Sequence, residues 1–344
     1  MGVKIKDLLE IHNIVFGDLK GKLITIDAAN ALYQFLAIVQ PATGTPLMDN
    51  KQRVTSHLSG LFYRTINLVE KDIQPIYVFD GKPPKFKAKT IEERREVREN
   101  AYEQWKTAIE VGDVETARKF GQSAHRLTRE MVEESKKLLD AMGIPIIQAP
   151  TEGEAQASSM VGKKNIYAVA SQDFDSILFG APRLVRNLSI AEKRRIPKTD
   201  QKINVEPELI ISSESFEKLN ISREQLIDIA ILIGTDFNNG IKGVGAKTAL
   251  KLILEYKDLK TVIQEKSLQF EESEEELQEI KNFFLQPQVV EDFAIEFKNP
   301  TASAIQKILI DEHQFDPDRV DKGLKRLEKG LSKKQQMKLE KWFK

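Results

Sequence analysis

Asp173 and Asp175 stand one residue apart at the exit of an apolar run in YAVASQDFDSILFG, residues 167 to 180. Period-2 geometry aims both carboxylates the same way, so they repel unless protonated, well solvated or joined by a shared cation. Five further acids occupy comparable places: Asp27 ends KLITID, Asp80 ends IQPIYVFD, Glu152 and Glu154 follow IPIIQAP, and Asp236 follows the apolar stretch in LIDIAILIGTDF. One acid at a strand end is ordinarily a cap or a turn residue. Thr151 is expected to cap a helix, with Glu154 closing a capping box three residues on. That local account leaves Glu152 and Asp236 unexplained. The four histidines, at 12, 57, 125 and 313, lie outside these motifs, and the chain has no cysteine. An all-oxygen donor set suits a hard divalent cation, Mg²⁺ or Mn²⁺, better than Zn²⁺. Two such ions roughly 3.5–4 Å apart would offset the repulsion, activate a water and stabilise the leaving oxygen of a phosphodiester.

These acids need a scaffold that gathers strand ends. The runs beginning near 22, 73, 144, 165 and 183 are short, rich in β-branched residues and mostly continuously apolar, and longer helical segments separate most of them. That pattern predicts strands buried on both faces, hence an α/β fold with a mostly parallel central sheet flanked by helices. Ligands in such folds bind beyond the carboxyl ends of the strands, where these acids fall. A chain of 344 residues, 41% hydrophobic and 30% charged, can bury a sizeable core. No apolar run approaches a membrane span, and the N-terminus lacks the apolar stretch of an export signal. The absence of cysteine excludes disulfides, zinc-thiolate sites and thiol nucleophiles, and suits a reducing interior or a hot one.

The net charge is zero, but the charge is segregated: KPPKFKAKTIEERREVR at 82–98, EKRRIPK at 192–198 and the C-terminus are basic, and EESEEELQE at 271–279 is acidic. Together the basic runs permit a polyanionic partner. In GTDFNNGIKGVGAKTALKLI, 234–253, glycines precede a helix. The spacing is not a P-loop, because Gly245-Ala246-Lys247-Thr248 lacks Gly-Lys-Thr, and not a dinucleotide fingerprint, because Gly243 and Gly245 follow a helix rather than a strand. A plain turn between two helices and a helix-hairpin-helix that grips a nucleic-acid backbone through its N–H groups both remain.

The motifs DAANALYQF, TSHLSGLFYRT, YVFDGKPP, MGIPIIQAPTEGEAQA, SQDFDS, LFGAPRLVRNL and IGTDF, in this order, resemble the flap endonucleases of the shorter archaeal type over nearly the whole chain. Departures are Thr151 for serine, Phe174 for tyrosine, and Asn238-Asn239-Gly240 for a Pro-Gly-Gly-like turn. The resemblance implies a PIN-like 5′ nuclease core in two merged parts, 1–130 and 131–330, with a helical arch over 82–130 and a helix-hairpin-helix near 226–256. It implies a two-ion site of Asp27, Asp80, Glu152, Glu154, Asp173, Asp175 and Asp236, the first four mainly serving one ion. Lys87 and Arg94 match arch cations that steady the scissile phosphate. Tyr33 matches an aromatic that stacks on a base, and Thr55 a residue of a pocket for a one-nucleotide 3′ flap. Gly2 matches a small residue that lets the N-terminus lie near the site. Gly243, Gly245 and Lys247 fall in the duplex-binding hairpin.

In the tail 331–344, Gln336, Leu339, Trp342 and Phe343 have the spacing of a sliding-clamp (PCNA) motif, with Trp342 where the family usually has Phe or Tyr. The expected activity is Mg²⁺-dependent cleavage of 5′ flaps, with 5′-3′ exonuclease action, in DNA replication and repair. A monomer is expected, cytoplasmic in an archaeal-type cell or nuclear in a eukaryote. A non-catalytic branched-DNA or clamp scaffold predicts lost acids, whereas all seven are present. A related 5′ exonuclease or junction resolvase would differ in the arch and the C-terminus.

Overall fold

The computed structural model describes residues 2–39, 45–124, 126–188, 193–195 and 202–342. The five apolar runs become β2 (Leu23–Asp27), β3 (Gln74–Phe79), β4 (Ile146–Gln148), β5 (Ile166–Ala170) and β6 (Arg183–Arg186), all mutually parallel. Two strands outside those runs extend the sheet. β1 (His12–Asn13) is a pair of exposed residues with no apolar signal, and it joins β9 (Glu208–Ile211), which runs antiparallel to β6. The full order is β1-β9-β6-β5-β2-β3-β4, and β7 (Lys193–Arg195) and β8 (Lys202–Asn204) pair separately. After β2 the chain winds outward through β3 and β4, then returns to the other side of β2 as β5. The crevice of this switch point therefore opens at the ends of β2 and β5.

Side chains on both faces of the parallel strands are buried, which is why the runs are continuous rather than alternating. Ile24 and Ile26 of β2, with Tyr77 and Phe79 of β3, pack on one face. They meet α1 (Ala28–Ile38), α2 (Ser56–Glu70), α5 (Arg129–Ala141), α13 (Ala302–Gln306) and α14 (Pro317–Trp342). Ile76 and Val78 of β3 and Val169 of β5 face the opposite core. There they meet α6 (Gly153–Met160), α7 (Asp175–Leu178), α8 (Ser212–Leu219), α9 (Arg223–Ile233), α10 (Ala246–Tyr256), α11 (Leu259–Lys266) and α12 (Glu274–Leu285).

The charged segment after Asp80 forms a helical hairpin of α3 (Ala88–Glu110) and α4 (Val114–Ala124). Along α3 only Ala101 and Ala108 are buried, so its charged faces stay available. The acidic run at 271–279 has a local structural role as well: Ser273 and Glu276 form a capping box, and Glu274 to Glu276 lie in the first turn of α12, favourable for the helix dipole. Among the described residues no helix is long and apolar enough to cross a membrane.

Candidate active site

Asp27 ends β2 and caps α1, accepting the Asn30 N–H at 3.1 Å. The Asn30 side chain reaches across the crevice: its Nδ2 donates to Asp173 at 2.9 Å, while its Oδ1 accepts the Gln172 N–H at 3.2 Å. Sequence reasoning did not single out Asn30, although its place three residues after a capping Asp was the available signal. Asp80 follows β3 and accepts the Gly153 N–H at 2.6 Å. A Cβ on residue 153 would lie 2.9 Å from that carboxylate oxygen, so glycine permits the approach. Asp175 opens α7 and accepts the Val3 N–H at 2.8 Å. Gly2, at φ +73°, places the N-terminal segment against the site, where a Cβ would come within 2.8 Å of the Asp173 Cβ.

The expected capping box at Thr151 is absent. The helix begins at Gly153 with Glu152 at its cap position and no side-chain cap bond. The backbone decides this: the Thr151 carbonyl accepts the Gly81 N–H at 2.6 Å, tying the β4 exit to the β3 exit. Glu154 points instead to two hydroxyls, accepting from Ser171 at 2.7 Å and Ser176 at 3.2 Å.

All seven acids line one crevice of about 310 Å³, together with Lys87, Arg94 and Tyr33. Like charges in a poorly solvated place resist ionisation. Burial pushes Asp27 well above the usual carboxylate range, reinforced by Asp80 and Asp173. Burial does the same to Glu154, with Asp175 and Asp27 adding to it. Burial also raises Asp173, to which Asp236 contributes, and takes Asp175 up to about 7 with help from Asp236 and Asp173. Glu152 is raised by burial although Lys87 opposes the shift. The ammonium of Lys87 ion-pairs with Glu152, and the guanidinium of Arg94 with Asp236. Burial works against the charge on Lys87, but Glu152, Asp80 and Asp236 outweigh it and raise its pKa. Lys87 also lies 5.7 Å from the centre of the Phe237 ring.

This donor set fits a hard divalent cation: it is wholly oxygen, and it crowds buried negative charge that a cation would offset. Among the described residues no three acids close around a single point as a tight cage. Mg²⁺ asks for no such cage, since it keeps several waters and takes one or two carboxylates.

Tyr33 lies on the crevice wall rather than in the core, with the Arg98 guanidinium 5.1 Å from its ring centre. Thr55 is buried at the cap position of α2, outside the crevice. Gly243, Gly245 and Lys247 are exposed in and after the turn joining α9 to α10, and the two glycines have open space where a side chain would stand. Gln336, Leu339 and Trp342 lie on the helical backbone of α14, and Phe343 falls outside the described residues.

A carboxylate crevice at the switch point of a mostly parallel sheet, with Arg94 and Arg98 of the helical hairpin in its wall, suits a metal-assisted nuclease. Residues 1–101 match the XPG N-terminal domain and 143–236 the XPG I-region. The chain is 51% identical to Flap endonuclease 1 of Pyrococcus furiosus over 345 residues, covering all of both chains. It is also 51% identical to Flap endonuclease 1 of Pyrococcus abyssi, over all of this chain and 98% of that one. The solved flap endonuclease-1 of Methanococcus jannaschii superposes with a TM-score of 0.76 at 43% identity, covering 97% of this chain and 100% of that one. The chain belongs to the flap endonuclease family of structure-specific nucleases.

Proposed function

We propose that this flap endonuclease removes 5′ flaps from branched DNA by hydrolysing one phosphodiester with two Mg²⁺ ions, Mn²⁺ being able to substitute, and leaves a ligatable nick. The observation that carries the reading is the convergence of seven carboxylates, with no histidine among the described lining residues and no cysteine in the chain, on one crevice faced by Lys87 and Arg94. Asp27, Asp80, Glu152 and Glu154 would mainly serve one ion and Asp173, Asp175 and Asp236 the other, some of them, Asp236 included, through waters. When bound, the ions supply Lewis acidity and an activated water. Asn30, Ser171 and Ser176 fix the orientation of Asp173 and Glu154. Lys87 and Arg94 turn from their acids to the scissile phosphate, where their charge answers the charge that develops. Tyr33 stacks on the base at the cleavage point, braced by Arg98. The N–H groups of the turn at Gly243 and Gly245, with Lys247, grip the duplex backbone, and Thr55 belongs to a pocket for a 3′ flap.

We read residues 1–130 and 131–330 as two parts of one nuclease unit acting as a monomer, 82–130 as its arch and 226–256 as its helix-hairpin-helix. Cleavage of a 5′-end-labelled double-flap DNA with Mg²⁺ tests the function, with EDTA and a linear duplex as controls. A short product that requires both metal and junction is expected. Tight junction binding without any product would leave a scaffold that binds branched DNA.

Residues 331–344 are proposed as the clamp-binding tail, through Gln336, Leu339, Trp342 and Phe343. Deleting 336–344 is expected to spare cleavage in free solution and remove stimulation by a sliding clamp. The same flap assay with and without clamp measures this, and undiminished stimulation would place the clamp contact elsewhere.

A further inference from the structure

Arg98 and Arg126 line the acidic crevice and also a second, smaller cleft of about 170 Å³ beyond it. The other walls of that cleft are Arg95, Glu99, Tyr102 and Glu103. Positions 95, 98, 99, 102 and 103 are three and four residues apart, so they form one face of α3, a continuation of the face that carries Arg94 at the crevice. Tyr102 is 43% exposed, while Trp105, which does not line the cleft, braces its ring at 5.5 Å with a 38° tilt. A large aromatic held from one side and left open on the other has surface to give to a planar ligand.

The charges narrow the ligand class. Glu99 and Glu103 beside the arginines oppose a bare phosphate as occupant, and Arg95 is already engaged by Glu92 and Glu99 at 2.8 and 3.4 Å. A nucleobase offers donors, acceptors and a flat face together, and matches this mixed lining. The pairing of Arg98 with Tyr33 repeats the same alternation of aromatic and cation one step nearer the acids. Alternating aromatics and cations along a groove are the means by which proteins hold single strands without reading sequence. We propose that the Tyr102 cleft is a second stacking subsite, taking a base of the single strand that leaves the crevice. The subsite rests on the flap-cleaving reading above and extends it.

Tyr102 stands eight residues after Arg94, about 12 Å along the helix axis. A flap of one nucleotide does not reach it, whereas a longer one does. Affinity for both flaps is measured by fluorescence anisotropy in EDTA, with parent, Tyr102→Ala and Tyr102→Phe proteins. For Tyr102→Ala the loss on the long flap is expected to exceed that on the one-nucleotide flap about ten-fold, as one stacked base requires. Tyr102→Phe keeps the ring and should restore the difference. An abasic site scanned along the flap of the parent complex should reproduce the loss at one position and add nothing in Tyr102→Ala. Equal losses on both flaps, failure of phenylalanine to rescue, or an abasic effect that persists in Tyr102→Ala would each overturn the subsite. Failure of the parent to cut any flap in Mg²⁺ would instead remove the underlying reading, and the subsite with it.

Discussion

Asp175→Asn is expected to melt several degrees above the parent protein at pH 8 in EDTA while losing about a thousand-fold or more in cleavage rate with Mg²⁺. The stability half follows from the carboxyl's pKa of about 7 in the folded chain, against an ordinary value of 3.8. The folded state therefore binds the proton more tightly than the unfolded chain. Stability from this group is intact below about pH 4, falls as pH rises toward 7, and is fully lost above that. The loss is on the order of 4 kcal/mol. Asparagine carries no charge to desolvate, and its carbonyl oxygen can still accept the Val3 N–H, so the segment at Gly2 keeps its anchor. At pH 4 in EDTA the two proteins should melt together, because the parent's carboxyl is then protonated as well. Adding Mg²⁺ at pH 8 should raise the parent more than the variant. Thermal melts at the two pH values, with and without Mg²⁺, beside the flap assay, give all of these comparisons. A variant that melts below the parent at pH 8 in EDTA would mean that the fold itself already satisfies the Asp175 charge.

The backbone of this site was legible because strands buried on both faces must be apolar without interruption. The acids that end those runs at Asp27, Asp80 and Asp173 could therefore be counted before any contact was known. β1 escaped for the converse reason, since two exposed residues at an edge, His12 and Asn13, carry no periodicity. The capping box at Thr151 and Glu154 was a local inference overruled by tertiary contacts: the β3 exit occupies the Thr151 carbonyl, and Ser171 and Ser176 hold the Glu154 carboxylate. Composition also concealed how the cations are used. Lys87 and Arg94 read as members of a basic run, but each reaches an acid in a distant segment, Glu152 and Asp236 respectively. Pairings of that kind are set by topology and have no signature in local spacing.

Those pairings govern the second large effect. Lys87→Ala is expected to slow single-turnover cleavage about a hundred-fold while changing flap affinity in EDTA by less than about three-fold. The asymmetry has a structural cause. In the free protein the Lys87 ammonium is already engaged by Glu152 and lies near the Phe237 ring, with its side chain only 16% exposed. Turning it toward a ground-state phosphate exchanges one anionic partner for another, with little net gain in binding. As the phosphate gains charge in the transition state, the exchange becomes favourable, and that difference appears in the rate alone. The surrounding lysines provide the contrast: Lys82, Lys85 and Lys89 are exposed, and Lys89 pairs with Glu271 at the surface. Their removal should weaken binding modestly and in a salt-dependent way, with little effect on the single-turnover rate. An equal loss of rate and affinity in Lys87→Ala would place Lys87 among those docking cations, and the developing charge would then be left to Arg94 and the bound metal.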